Sequence, residues 1–105
     1  MSQATSQTMT GRRWLQELCD ATKPPPASTD AVRDMLSAWS EVSAARQAIF
    51  AHPARPSTLG AEDADMVDEL RAREAVWMAA LAAARDRVAA AKIALAKAKR
   101  YQQAR

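Results

Sequence analysis

Cys19 and His52 are the only cysteine and the only histidine in this chain, and they bound the chemistry it can do. A zinc site needs three or four soft or imidazole ligands, and a thiol nucleophile needs a base held beside it. One residue of each kind supplies neither, and His52 stands next to Pro53 among loop-forming residues. Gly11 and Gly60 are the only glycines and lie far apart, so no glycine-rich loop cradles a phosphate. Asp65 and Glu69, four apart, would share a helix face, but no apolar pocket or histidine accompanies them to shift a carboxyl pKa. The expectation is a protein that is not an enzyme, with no metal and no cofactor. What remains is binding, and binding surfaces depend on the elements that carry them.

The dominant element is the stretch Glu62 to Tyr101, which has no glycine or proline and is dense in alanine. As one helix it would extend roughly 60 Å. Its apolar positions run 3, 4, 3, 4 from Val67 through Leu70, Glu74, Trp77, Leu81, Ala84, Val88, Ala91 and Leu95 to Ala98, a heptad seam. Small residues along one edge let a second helix approach closely. Acids crowd the first turns (Glu62, Asp63, Asp65, Asp68, Glu69) and bases the last (Lys92, Lys97, Lys99, Arg100), each set complementing its end of the helix dipole.

The partner lies upstream. Ser28, Thr29 and Asp30 are candidate caps for a helix running to Ala51, where His52 and Pro53 end it. Its seam of Val32, Met35, Trp39, Val42, Arg46 and Ile49 has the same spacing, and residues 52–60, with two prolines and a glycine, read as the turn. Folding back near Thr58 sets Ile49 against Val67, Trp39 against Trp77, Met35 against Leu81 and Val32 against Ala84. Arg46 and Glu74, the charged interruptions of the two seams, fall in adjacent layers and pair.

Ahead of this, Met1 to Thr10 is polar and without periodicity, which predicts disorder. Thr10 can cap a short helix to Asp20 with Trp14, Leu15, Leu18 and Cys19 on one face, although Arg12 and Arg13 sit at its positive end. Pro24, Pro25 and Pro26 make an extended spacer. The fold class expected is all-α: an antiparallel helical hairpin or small bundle with a long C-terminal and a short N-terminal helix. Residues 1–27 form a flexible segment and residues 28–105 the hairpin.

With 105 residues the chain makes at most one small domain, and its 5% aromatic content favours a thin bundle over a deep pocket. A lone cysteine excludes an intramolecular disulfide and points to a reducing compartment. No apolar stretch reads as a signal peptide or a membrane span, so a soluble cytoplasmic protein is expected. The net charge of +3 permits an acidic partner, but Tyr101 is the only aromatic in the basic end, which argues against nucleic acid.

The short first helix, the Trp39 helix with Arg46-Gln47-Ala48-Ile49, the long helix with Leu70-Arg71-Ala72-Arg73 and the close at Lys97-Ala98-Lys99-Arg100-Tyr101 together resemble the FliT-type flagellar type III export chaperones. That resemblance implies a small cytoplasmic helical chaperone that holds a filament-cap-like export substrate before secretion. Two other readings stand beside it: a self-associating structural hairpin, as a homodimer for instance, and a binder of anionic surfaces through the basic end.

Because the seam of the first hairpin helix begins at Val32, opposite Ala84, the positions Val88, Ala91, Leu95 and Ala98 lack a neighbour in sequence. An amphipathic helix of a partner protein is expected there, flanked by Lys92, Lys97 and Arg100, which favour an acidic partner, and in competition with the Trp14, Leu15, Leu18 and Cys19 face folded back by the prolines. The register itself is testable: Trp39→Ala and Trp77→Ala should each destabilise by about 3–5 kcal/mol, and the double variant by less than their sum. Urea unfolding of the four proteins measures this, and additive effects would place the rings in separate environments.

Overall fold

The computed structural model describes residues 8–27 and 31–104. It is all-α, with helices α1 (Gly11–Ala21), α2 (Val32–Phe50) and α3 (Ala64–Gln103), the last entered through a short 3-10 turn at Ala61–Asp63. The molecule measures 80 × 28 × 20 Å, and the 40 residues of α3 supply about 60 Å of its length. The expected disorder before Thr10 and the caps proposed at Ser28, Thr29 and Asp30 fall largely or wholly outside the described residues. The residue that does precede α2 is Ala31, which offers no side-chain cap.

Two apolar clusters follow one another along α3. In the first, Leu15, Leu18 and Cys19 of α1 meet Met66 and Leu70 of α3, with Trp14, Ile49 and Val67 packed around them. In the second, Met35 and Val42 of α2 meet Trp77 and Ala84, flanked by Val32, Trp39 and Leu81. The expected layers are present: Ile49 and Val67 share one cluster, Val32, Met35, Leu81 and Ala84 the other. The Trp39 and Trp77 rings pack against each other with their planes tilted by 48° and their centroids 5.2 Å apart. Fully burying a leucine contributes about 1.5–3 kcal/mol, so Leu15 and Leu18 alone make α1 part of the packed unit.

Within the segment 1–27, α1 packs onto the hairpin, and its apolar face closes the end of the core that α2 leaves open. Polar bonds hold it there as well. The Arg73 guanidinium donates to the Cys19 carbonyl at 2.8 Å, the Trp14 indole N–H to the Ile49 carbonyl at 3.1 Å, and the Met9 N–H to the Ala54 carbonyl at 2.6 Å. Downstream, the buried Trp77 indole donates to the Lys23 carbonyl at 2.6 Å, which pins the chain as it enters the three prolines.

Arg12, unfavourable at a helix N-terminus by itself, has a tertiary reason. It donates two hydrogen bonds to the Asp65 carboxylate, at 3.2 and 3.3 Å, and that bonding holds the Asp65 carboxyl below the usual carboxylate range. Thr10 caps α1 as expected, its hydroxyl oxygen accepting the Arg13 N–H at 3.1 Å. Asp63 does the same for the turn into α3, accepting the Gly60 N–H at 3.0 Å while 4% exposed. Gly11 packs directly over that carboxylate: a Cβ at Gly11 would come within 2.5 Å of the Asp63 Oδ2.

Between the two clusters lies a polar layer. The Arg46 guanidinium donates to the Thr22 hydroxyl at 2.6 Å and to the Glu74 carboxylate, and lies 5.6 Å from the centre of the Phe50 ring. Thr22 in turn donates to the Leu18 carbonyl at 2.7 Å. Hydrogen bonds to charged groups contribute about 1.5–3 kcal/mol, and the partial exposure of Glu74 lets water take over some of its solvation. Arg46→Met should therefore cost about 2 kcal/mol, and adding Glu74→Leu should restore part of the loss or exceed the wild type. Equal losses in the single and double variants, read by urea unfolding, would mean that the pair contributes nothing.

Candidate functional site

From Arg85 to Gln103 every residue of α3 is exposed. The helix persists there because its sequence is rich in alanine, lysine and arginine and free of glycine and proline. It lacks cover because of what happens opposite Ala84. The buried line runs from Asp63, in the turn before α3, through Leu70, Trp77 and Ala84 at seven-residue spacing and continues in sequence as Ala91 and Ala98, both exposed. Opposite Ala84, α2 reaches its first residues, and Pro26, Met35, Ala80 and Ala83 surround a small cavity there.

At this junction the surface is concave. A groove of about 440 Å³ is walled by Val32 and Leu36 of α2 and floored by Leu81, Ala84, Val88 and Ala89 of α3, with Arg85 and Lys92 at its rim. Leu36 is 54% exposed and Val88 38%. Beyond the groove the stripe continues through Leu95, 58% exposed, towards Tyr101. Six basic residues and one acid, Asp86, lie between Arg85 and Ala104, which makes this the cationic end of the molecule. Among the described residues nothing covers the stripe beyond the groove.

The residues expected to form the partner surface divide into two places. Val88 and Lys92 line the groove, and Ala91, Leu95, Ala98 and Arg100 continue outward from it on the same helix. Trp14 and Leu18 do not join them. Leu18 is 1% exposed in the first cluster, and Trp14 packs edge-on against Phe50 with centroids 5.6 Å apart. From Met66 to Val88 the helix rises about 33 Å, so the α1 face cannot compete for the exposed stripe without unfolding its own core. The physical reason is that α1 finds a better partner at Met66 and Leu70, next to where the chain turns back. The groove itself was not foreseen. Its wall at Leu36 lies four residues after Val32, where Leu36 widens the apolar stripe of α2 beside its seam, and that extra width is the signal in the sequence.

The groups that could do chemistry each have a structural role. The His52 Nδ1 accepts the Ala54 N–H at 3.0 Å and shapes the turn. Asp65 pairs with Arg12, and Glu69 with Arg73 one turn on, at 3.0 Å. Cys19 is buried against Met66, and burial pushes its thiol up from the ordinary value, with Arg73 acting in the opposite sense.

No family model, curated protein or solved structure matches this chain. No helix among the described residues is long and apolar enough to cross a membrane.

Cys19 provides a measurement of how tightly α1 is held. Iodoacetamide should alkylate it on the order of 100-fold more slowly in the native protein than in urea, because the thiol must be exposed by opening first. Since the folded pKa is raised, the associated stability is present below the unfolded thiol value of about 8.5 and is lost as the pH rises through the folded value. Cys19→Ala should remove that alkaline loss from a series of urea titrations. Rapid labelling of the native protein would show α1 detached.

Proposed function

We propose that this protein is a non-catalytic, cytoplasmic holding protein that captures an amphipathic helix of another protein on the exposed half of α3. The observation that carries this reading is the continuation of a buried seven-residue line into solvent, through Ala91 and Ala98, from a groove with apolar walls. Apolar stripes of this kind gain about 25 cal/mol per Å² on being covered, and a helix laid in a groove covers them with its own i, i+3, i+4 positions. Packing of α1 against the other end strengthens the reading, because the closed end anchors a rigid platform and leaves the open end as the working surface. The resemblance to FliT-type chaperones gives the proposal its specific form: an export chaperone that keeps a flagellar or type III secretion substrate from assembling before its export.

The test uses the full chain and a Val88→Asp, Leu95→Asp variant. Both positions are solvent-facing, so circular dichroism and the thermal midpoint should match the wild type. A protein captured from the native cell by the wild type should be lost by the variant. After purification it should rebind the wild type at one-to-one stoichiometry, with affinity reduced about tenfold or more by the substitutions. Retention of the same protein by the variant would move the site elsewhere. A wild-type chain that forms a stoichiometric oligomer, with no captured protein, would make it a structural subunit instead.

A further inference from the structure

The charges around the exposed stripe restrict what can occupy it. Arg85, Lys92 and Lys99 recur at seven-residue spacing and so form one row along α3, beside the line of Leu81, Val88 and Leu95. The groove shows the same arrangement in space, with Arg85 and Lys92 at the rim above Leu81 and Val88. Arg85 meets its neighbour Asp86 at 3.6 Å through side chains that are both largely in water. Lys92 and Lys99 are six residues or more from any acid on their own helix.

A second copy laid antiparallel on this stripe would bring the row against itself, with Arg85 opposite Lys99 and Lys92 opposite Lys92. Positions flanking a helix seam set partner choice through such pairings, and like charges there select against association. We propose that the occupant is an acidic amphipathic helix from a different protein, running antiparallel to α3, and that the basic row rejects a second copy of this chain. This rests on the exposed half of α3 being the partner surface, as argued above.

Direction follows from the helix ends. Within the packed half, α2 runs antiparallel to α3 and presents its N-terminal end at the groove through Val32 and Leu36. A partner helix continuing in that direction ends with its negative C-terminal pole near Arg85 and Lys92, and begins with its positive pole beside the last carbonyls of α3. The reverse direction sets two positive helix ends and Arg85 together. From Val88 to Tyr101 the surface extends about 20 Å, room for two heptads.

The experiment titrates the isotope-labelled full chain with two synthetic peptides of about 18 residues, sharing one Leu/Ala heptad pattern and carrying either Glu or Lys at the flanking positions. The Glu peptide should shift the amide signals of Val88 to Leu95 and bind about tenfold or more tightly than the Lys peptide. That advantage should shrink between about 50 and 500 mM salt. A spin label on the peptide N-terminus should broaden Tyr101 and spare Val88, and the chain alone should sediment as a monomer. R85E/K92E/K99E should invert the preference. Equal affinities, or self-association lost on Leu95→Asp, overturn the charge rule, and broadening at Val88 overturns the direction. If Val88→Asp abolishes capture of the native partner while the two peptides bind alike, the surface is right and its acidic occupant wrong. If the Glu peptide is preferred but the native partner survives Val88→Asp, the functional reading fails and the charge rule stands. Binding of a short single-stranded oligonucleotide at the same residues more tightly than the Glu peptide would replace the helix with a nucleic acid and overturn the proposal.

Discussion

Arg46 is the side chain on which the arrangement of the three helices depends. A guanidinium cannot be left dry and unpaired, and in the polar layer of this molecule its two hydrogen-bonded partners come from two different places: Thr22 at the end of α1 and Glu74 on α3. A shift of either long helix by one layer would separate Arg46 from Glu74, and a displaced α1 would withdraw Thr22. The apolar clusters on either side would tolerate such shifts better, since alanine and leucine pack in several registers. The ion pair therefore contributes geometry more than energy, a use for which partly buried charges are well suited. Its position between the clusters also explains why α1 docks where it does, with its C-terminal end at the layer and its apolar face beyond it.

Much of the hairpin was legible in the sequence because both seams repeat with the same period and each is interrupted once by a charge. Folding the two seams back about Thr58 set Trp39 against Trp77 as well. The docking of α1 was not legible. Its apolar face is short and fits either end of α3, and three of the bonds that decide between them end on the backbone carbonyls of Cys19, Lys23 and Ile49. Carbonyls carry no sequence signal. Arg12 did carry one, since a base at the positive end of a helix calls for an acid from elsewhere, and Asp65 supplies it.

The candidate site arises from an inequality of length. With 19 residues, α2 accompanies less than half of α3, and the polyproline segment ahead of it cannot continue as helix. Val88, Ala91, Leu95 and Ala98 could be read as uncovered from that inequality alone. The groove could not, because it needs Leu36, which stands outside the α2 seam and becomes a wall only when the two helices are set side by side.

An isolated helix of some twenty residues in water is marginal, because its first turn must be ordered before any hydrogen bond propagates. The exposed half of α3 escapes that requirement. Its first turn is the last turn of the packed half, already formed around Trp77 and Ala84, so each further residue needs only the propagation step. Propagation for alanine-rich sequence sits close to balance and weakens with heat. The free end should therefore shorten reversibly from Gln103 inward as temperature rises, long before the clusters melt. The reach of this surface is in that sense a thermal variable: a rod whose working length is set by the helix–coil equilibrium at one end and by a fixed core at the other.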